Sequence, residues 1–235
     1  MARRRVILGL FLASLGAVLW HAILHPDWWS IPAALFGWFL ADAASGLIHM
    51  YMDYHPCPPG KRLDDIFFFP GSRESDEYLK MQRARMASIN AFERLVYDFK
   101  NHHPRPDALG RRELWRLIGS TVILAALPMT LMLDAAIVMT HVPGWVAAGA
   151  FAGIVGGAFA QYFHGSLHRT HNPWFIDALR RVGLLMTPAA HQRHHDTLQR
   201  DFATNCGWSN PLLNPLFRML RRRGYLEDSG LVPGP

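Results

Sequence analysis

Eight histidines fall into four tight groups along this 235-residue chain: His49 with Asp53, the pair His102-His103, His164-x-x-x-His168, and His191-x-x-His194-His195. Neutral imidazole is the usual protein ligand for iron, zinc and copper. One metal rarely takes more than about four protein ligands. Eight histidines and a carboxylate therefore predict two metals in one site. The spacing says how they converge. His49 and Asp53 are four apart, as are His164 and His168, so on a helix each pair shares a face. His191, His194 and His195 have i, i+3, i+4 spacing and place three rings on one helix face. His102 and His103 are adjacent, so a turn or a helix end must aim both inward.

Other readings of the same residues are weaker. Any one group alone is consistent with a hydrogen-bonded histidine at a membrane surface, but four such groups together are costly without a function. Axial haem ligation needs histidines facing each other across spanning helices, whereas these sit at helix ends and in loops. A zinc protease of the HExxH type needs a general base that His164-Gly165-Ser166-Leu167-His168 lacks. His55 and His171 lie near the groups and are candidate extra ligands. His21, His25 and His141 fall on the opposite side and are expected to be structural. Cys57 and Cys206 are far apart with no CxxC, which predicts two reduced thiols and no Cys-rich zinc or Fe–S site.

The elements that must position these groups are hydrophobic. Half of the chain is apolar. Four segments are long enough to span a bilayer, at about residues 6–24, 31–50, 114–133 and 142–163. Pro128, Pro143 and several glycines fall in the last two or beside them, tolerable where neighbouring helices pack closely. Arg3-Arg4-Arg5 precedes the first segment without a small-x-small cleavage site, so a retained anchor is expected. Trp28 and Trp29 fit the aromatic belt of the far interface.

The net charge of +6 is carried almost wholly by arginine, with Lys61, Lys80 and Lys100 the only lysines. That balance fits cytoplasmic loops rather than nucleic acid. Connections 25–30 and 134–141 carry no Lys or Arg, while the middle loop and the C-terminal region are rich in them. The positive-inside rule then puts both termini, residues 51–113 and residues 164–235 in the cytoplasm. All four histidine groups fall on that side, although topology and ligands were read from different residues. In the middle loop Ser72 is a candidate cap for a helix with Glu74, Asp76 and Glu77 in its first turn. Leu79, Met86, Ile89, Phe92, Val96 and Phe99 recur at helical spacing and predict one amphipathic helix that delivers His102-His103. Phe67-Phe68-Phe69 precedes it, expected to pack on the bundle rather than to anchor in the interface. The expected fold is all-α: one membrane domain over 1–235, a four-helix bundle under a cytoplasmic helical cap. The arginine, alanine and glycine bias points to a GC-rich bacterial source, hence to a bacterial cytoplasmic membrane.

HxxxH, HH and HxxHH groups on one membrane face resemble the integral-membrane di-iron desaturases and hydroxylases. The nearer resemblance is to the lipid desaturase family, which includes plasmanylethanolamine desaturase, its bacterial relative CarF and the plant phosphatidylglycerol desaturase. It is carried by Asp42-Ala-Ala-Ser-Gly-Leu-Ile-His49 through Asp53, Phe99-Lys-Asn-His-His103 with Pro104, His164-Gly-Ser-Leu-His168, and His191-Gln-Arg-His-His195 followed by Phe202-Ala-Thr-Asn-Cys-Gly-Trp208. The chain departs from the family in the longer stretch 57–96. It also has Leu198-Gln199-Arg200 where plasmanylethanolamine desaturase has a further histidine.

The resemblance implies that His49, His102, His103, His164, His168, His191, His194 and His195 ligate two iron ions, with Asp53 a ligand or hydrogen-bonded behind one. It implies O2 as co-substrate and a membrane phospholipid as substrate. The product is a double bond in an alkyl chain (vinyl-ether forming, plasmalogen type) or an acyl chain. No flavin, haem or Fe–S motif is visible, so electrons must come from an external cytochrome b5-like protein or ferredoxin. The alternatives are a lipid hydroxylase with the same metals and a non-enzymatic haem- or metal-binding membrane protein.

Overall fold

The computed structural model describes residues 2–227 and Leu231, and every regular element among them is helical. Three helical stretches are long and apolar enough to cross a membrane, where about 20 residues suffice. They are α1 (Ala2–Leu24), α2 (Ser30–Tyr54) and a composite helix over Leu114–Met139. The composite consists of α7 (Leu114–Thr121), a π-turn (Val122–Ala126) and α8 (Leu127–Met139), with Pro128 directly after the π-turn. A fourth apolar stretch is bent. Helices α9 (Gly144–Ala158) and α10 (Ala160–Leu167) meet at 52° across Phe159.

Two sequence expectations change here. The composite helix runs to Met139 rather than ending near residue 133, so Asp134 lies inside α8 instead of in a connection. Its carboxylate is partnered within the bundle by the Ser14 hydroxyl of α1, which lets the apolar helix continue past it. The segment 142–163 is not one straight helix; the break follows Gly156-Gly157, and paired small residues are a usual place for a kink. That bend turns His164 toward the other histidines.

The bundle is packed through small residues. A Cβ on Gly37 would stand 2.0 Å from the Gly149 carbonyl oxygen, so only glycine lets α2 and α9 approach this closely. Helix α1 buries Phe11, Leu15 and Val18 in the clusters it shares with the π-turn and α9.

Beyond the spans, α3 (Leu63–Phe67), α4 (Asp76–Ala87), α5 (Ala91–His102) and α6 (Asp107–Gly110) follow α2. The expected single helix through 79–99 is two helices. Ser75, not Ser72, caps α4. Asn90 caps α5 in a reciprocal box with Glu93, and such a box starts a new helix wherever it forms. Phe67 is buried with Tyr97, while Phe68 is exposed. Helices α11 (Trp174–Arg181), α12 (Pro188–Thr197) and α13 (Asn210–Arg222) complete the chain.

A strap over residues 200–210 ties these parts together. The Asp42 carboxylate, fully buried on α2, accepts from the backbone N–H groups of Cys206, Gly207 and Ser209 and from the Ser209 hydroxyl, at 2.7–2.9 Å. Asn205 donates to the Gly156 carbonyl of α9, and its own carbonyl accepts from Met186 N–H. Cys57 and Cys206 are both free thiols, as expected.

Candidate metal centre

The four histidine groups meet at one end of the bundle. Helix α2 supplies His49 and Asp53 one turn apart. The end of α5 supplies His102 and, at its cap, His103. Helix α10 supplies His164 and, at its cap, His168; one face of α12 supplies His191, His194 and His195. The nine side chains form two sets. His102, His164, His168, His191 and His195 form one; His49, Asp53, His103 and His194 form the other, with the ligand atoms of each set within 4.8 Å of one another. The sets adjoin: ring centroids are 4.2 Å apart between His102 and His103, and 4.9 Å between His49 and His164. The second set is fully buried; in the first, His168 and His195 are half-buried.

Donor chemistry fits metal in both sets. Nitrogen or oxygen ligands at about 2.1 Å from one ion stand roughly 3.0–3.4 Å from each other. His164 Nε2 and His195 Nε2 each lie 3.1 Å from His191 Nε2, and His194 Nε2 lies 3.2 Å from His103 Nε2. Asp53 Oδ2 is 3.3 Å from Nε2 of both His49 and His194, and Oδ1 is 3.5 Å from His103 Nε2. Lone pairs this close repel unless a proton or a cation lies between them. Nε2 of His49, His102 and His168 and both Asp53 oxygens are buried without a hydrogen bond among the described residues. Each such group costs about 1–3 kcal/mol if left unsatisfied, a penalty a bound cation removes.

The far side of several rings fixes which nitrogen is offered. A carbonyl can only accept, so Nδ1 must carry the proton where it faces one. His49 Nδ1 donates to the Phe202 carbonyl at 2.9 Å and His194 Nδ1 to the Arg200 carbonyl at 2.8 Å. His102 Nδ1 donates to the Phe99 carbonyl, and His195 Nδ1 faces the His103 carbonyl at 3.4 Å. In all four, Nε2 is left unprotonated and free to ligate, the arrangement found behind metal-bound histidines. In His103, His164 and His191 it is Nδ1 that has no hydrogen bond among the described residues. Burial first, and neighbouring imidazoles second, hold His102, His103 and His191 well below the ordinary histidine range; His195 is lowered to about 4 by burial and then by His194. These rings are neutral at physiological pH, the form a metal takes.

The structure separates His55 and His171 from the group. His171 is exposed beyond the end of α10, not on its face, because the helix stops at Leu167. His55 stacks near Tyr51 and Phe92. Neither belongs to either set. His141 is exposed at the opposite end, and His21 there donates from Nε2 to the Val142 carbonyl at 2.8 Å.

Three supports escaped the sequence reading. Asp42 precedes His49 by two helical turns, and an acidic residue in an apolar span was a visible signal. Lys100 is fully buried and donates to the Asp53 main-chain carbonyl. The carbonyls of Phe202 and Arg200 had no signal, since every residue has one. The chain enters and begins the strap in an uncommon conformation: Leu198, which ends α12, has φ of 55° and Asp201 has φ of 59°. Non-glycine residues hold such angles only where surrounding bonds compel them. Here the Asp201 carboxylate accepts from Asn214, Arg193 and Arg200.

The lipid desaturase domain family matches residues 87–222, which include every histidine of the centre except His49. The plasmanylethanolamine desaturase of Myxococcus xanthus is 25% identical over 219 residues, covering 92% of this chain and 67% of the relative. No solved structure matches the chain. The relative's alignment extends over the full set of histidine groups that the fold draws together, and the chain belongs to the lipid desaturase family.

Proposed function

We propose that this protein is an O2-dependent membrane lipid desaturase acting as a single membrane domain. It introduces a double bond into an alkyl chain (vinyl-ether forming) or an acyl chain at a di-iron centre. The reading is carried by one observation: nine convergent ligand atoms in two adjoining sets at the end of apolar helices. His102, His164, His168, His191 and His195 would hold one ion, and His49, Asp53, His103 and His194 the other. The printed name of the Myxococcus relative favours the alkyl-chain form. Distances near 3.1 Å between facing Nε2 atoms leave no space for a porphyrin plate.

When bound, the irons supply O2 reduction: two hydrogens leave adjacent chain carbons and, with two electrons from an external donor and two protons, O2 becomes two waters. The chain's residues hold and orient. Carbonyls behind His49, His102 and His194 keep Nε2 turned inward. Lys100 donates to the Asp53 main-chain carbonyl and so ties the end of α5 to the turn of α2 that carries the carboxylate. The Phe99 and Phe202 rings lie 5.4 and 6.1 Å from His49 and exclude water from that side. Half-buried His168 and His195 mark the side open to solvent, where an electron donor can approach.

Protein expressed with ample iron should contain about two irons per chain. Lipid mass spectrometry of cells with and without it should show a species two hydrogens lighter. A single tightly held zinc, or a product heavier by one oxygen, would reject the desaturase reading.

The arginine distribution supports a centre at the cytoplasmic face, with the bent α9–α10 pair as a fourth span. Burial pushes the Cys57 thiol up to about 11, which disfavours its reactive thiolate, so introduced cysteines are the better reporters. A cysteine introduced at exposed Lys80 should react with an impermeant maleimide only after the membrane is opened, and one at exposed Asp27 in intact cells. The reverse pattern would invert the topology.

A further inference from the structure

An apolar groove of about 930 Å3 runs between α2, α9, the π-turn and the start of α8. Its lining is apolar apart from the Thr121 hydroxyl and the indoles of Trp29 and Trp145. From Trp29 to Ala44 it follows 15 residues of chain, roughly 22 Å at 1.5 Å per residue. That exceeds half the ~30 Å hydrocarbon thickness of a bilayer. Trp29 and Trp145 stand at one end, Ala44 and Ala158 at the other. On α2, Ala44 precedes His49 by about 8 Å of helix rise.

Two features keep this groove open. A Cβ on Gly157 would meet nothing within 4 Å, so this glycine leaves space, whereas Gly37 permits contact. Across from it, Ala125 and Ala126 lie in the π-turn, and such turns concentrate at functional sites. A second groove of about 560 Å3 flanks the other side of α2 and α9, but large rings from Trp38, Phe159 and Phe163 line it.

We propose that the larger groove is the binding site for the hydrocarbon chain of the lipid substrate. The tail points to Trp29 and Trp145, and the reacting carbons lie at the Ala44–Ala158 end. This rests on the desaturase reading for which lipid reacts, but not for whether a chain binds. Bulk at the inner end then blocks the site, and bulk at the outer end selects shorter chains.

The full-length protein in vesicles of phosphatidylethanolamine carrying a diazirine at the chain terminus tests this by irradiation and peptide mapping. Label is expected on Met129, Trp145 and their groove neighbours. Label confined to the outward-facing Leu124 and Met132, or to the Trp38 groove, overturns the proposal. Gly157→Phe should lower groove labelling about tenfold, since the ring displaces several methylenes, with metal content unchanged. Ala150→Phe should shift the desaturated products to shorter chains. Equal labelling of Gly157→Phe and the native protein also overturns it. Groove labelling in a protein that desaturates no lipid would keep the groove as a lipid site and reject the desaturase reading instead.

Discussion

Replacing His194 by alanine should abolish desaturation, by at least about a hundredfold, and lower bound metal from about two ions per chain to about one. His194 Nε2 faces both His103 Nε2 and the Asp53 carboxylate, and its Nδ1 is held by the Arg200 carbonyl. Without it the buried carboxylate keeps fewer positive or metal partners, and an uncompensated buried charge costs about 3–5 kcal/mol. The same loss is expected for His191→Ala in the other set. His141→Ala, exposed at the far end, should be silent in both assays at matched expression. Retained metal and activity in His194→Ala, with loss in His141→Ala, would place the centre elsewhere. His168→Ala should also inactivate, because exposed His171 lies beyond the helix end and is not positioned to replace it.

Asp42→Ala should be among the most destabilising single changes outside the ligands, at about 3–5 kcal/mol. Four donors from the strap converge on this one buried carboxylate. Removing it leaves them buried and unpaired. The strap also carries the Phe202 carbonyl that orients His49, so metal should fall in parallel with stability. Thermal unfolding in detergent and metal analysis of the same sample read both effects. An unchanged unfolding temperature with full metal would show that α2 and the strap do not depend on Asp42. Asp42→Asn should be intermediate, since one acceptor oxygen remains while its amide opposes the N–H donors.

Much of the site was legible because ligand chemistry leaves local marks. The i, i+4 spacings of His49 with Asp53 and His164 with His168 fix a shared face wherever the segment is helical, as does His191-x-x-His194-His195 on α12. Long apolar runs announce helices that must satisfy their backbone internally, so α1, α2 and the existence of the third span were also local properties. Capping was legible in kind but not in place: Ser75 rather than Ser72, and a second start at Asn90, were decided by which side chain reached a backbone N–H first.

The amino-acid sequence by itself thus determined the candidate ligand types, their grouping and the apolar helices that carry them. Only the tertiary structure decided how nine ligand atoms divide into a five-histidine set and a carboxylate-bearing set, because that partition depends on distances between residues as far apart as His49 and His194. It also decided that His171 stands outside, that Asp134 is paired within the bundle, and that α9 bends to turn His164 inward. The pairing of Asp134 with Ser14 and the close approach of α2 to α9 at Gly37 rest on contacts between distant segments. A backbone carbonyl or an absent Cβ has no local signature, since it acquires its role only from what the fold brings against it.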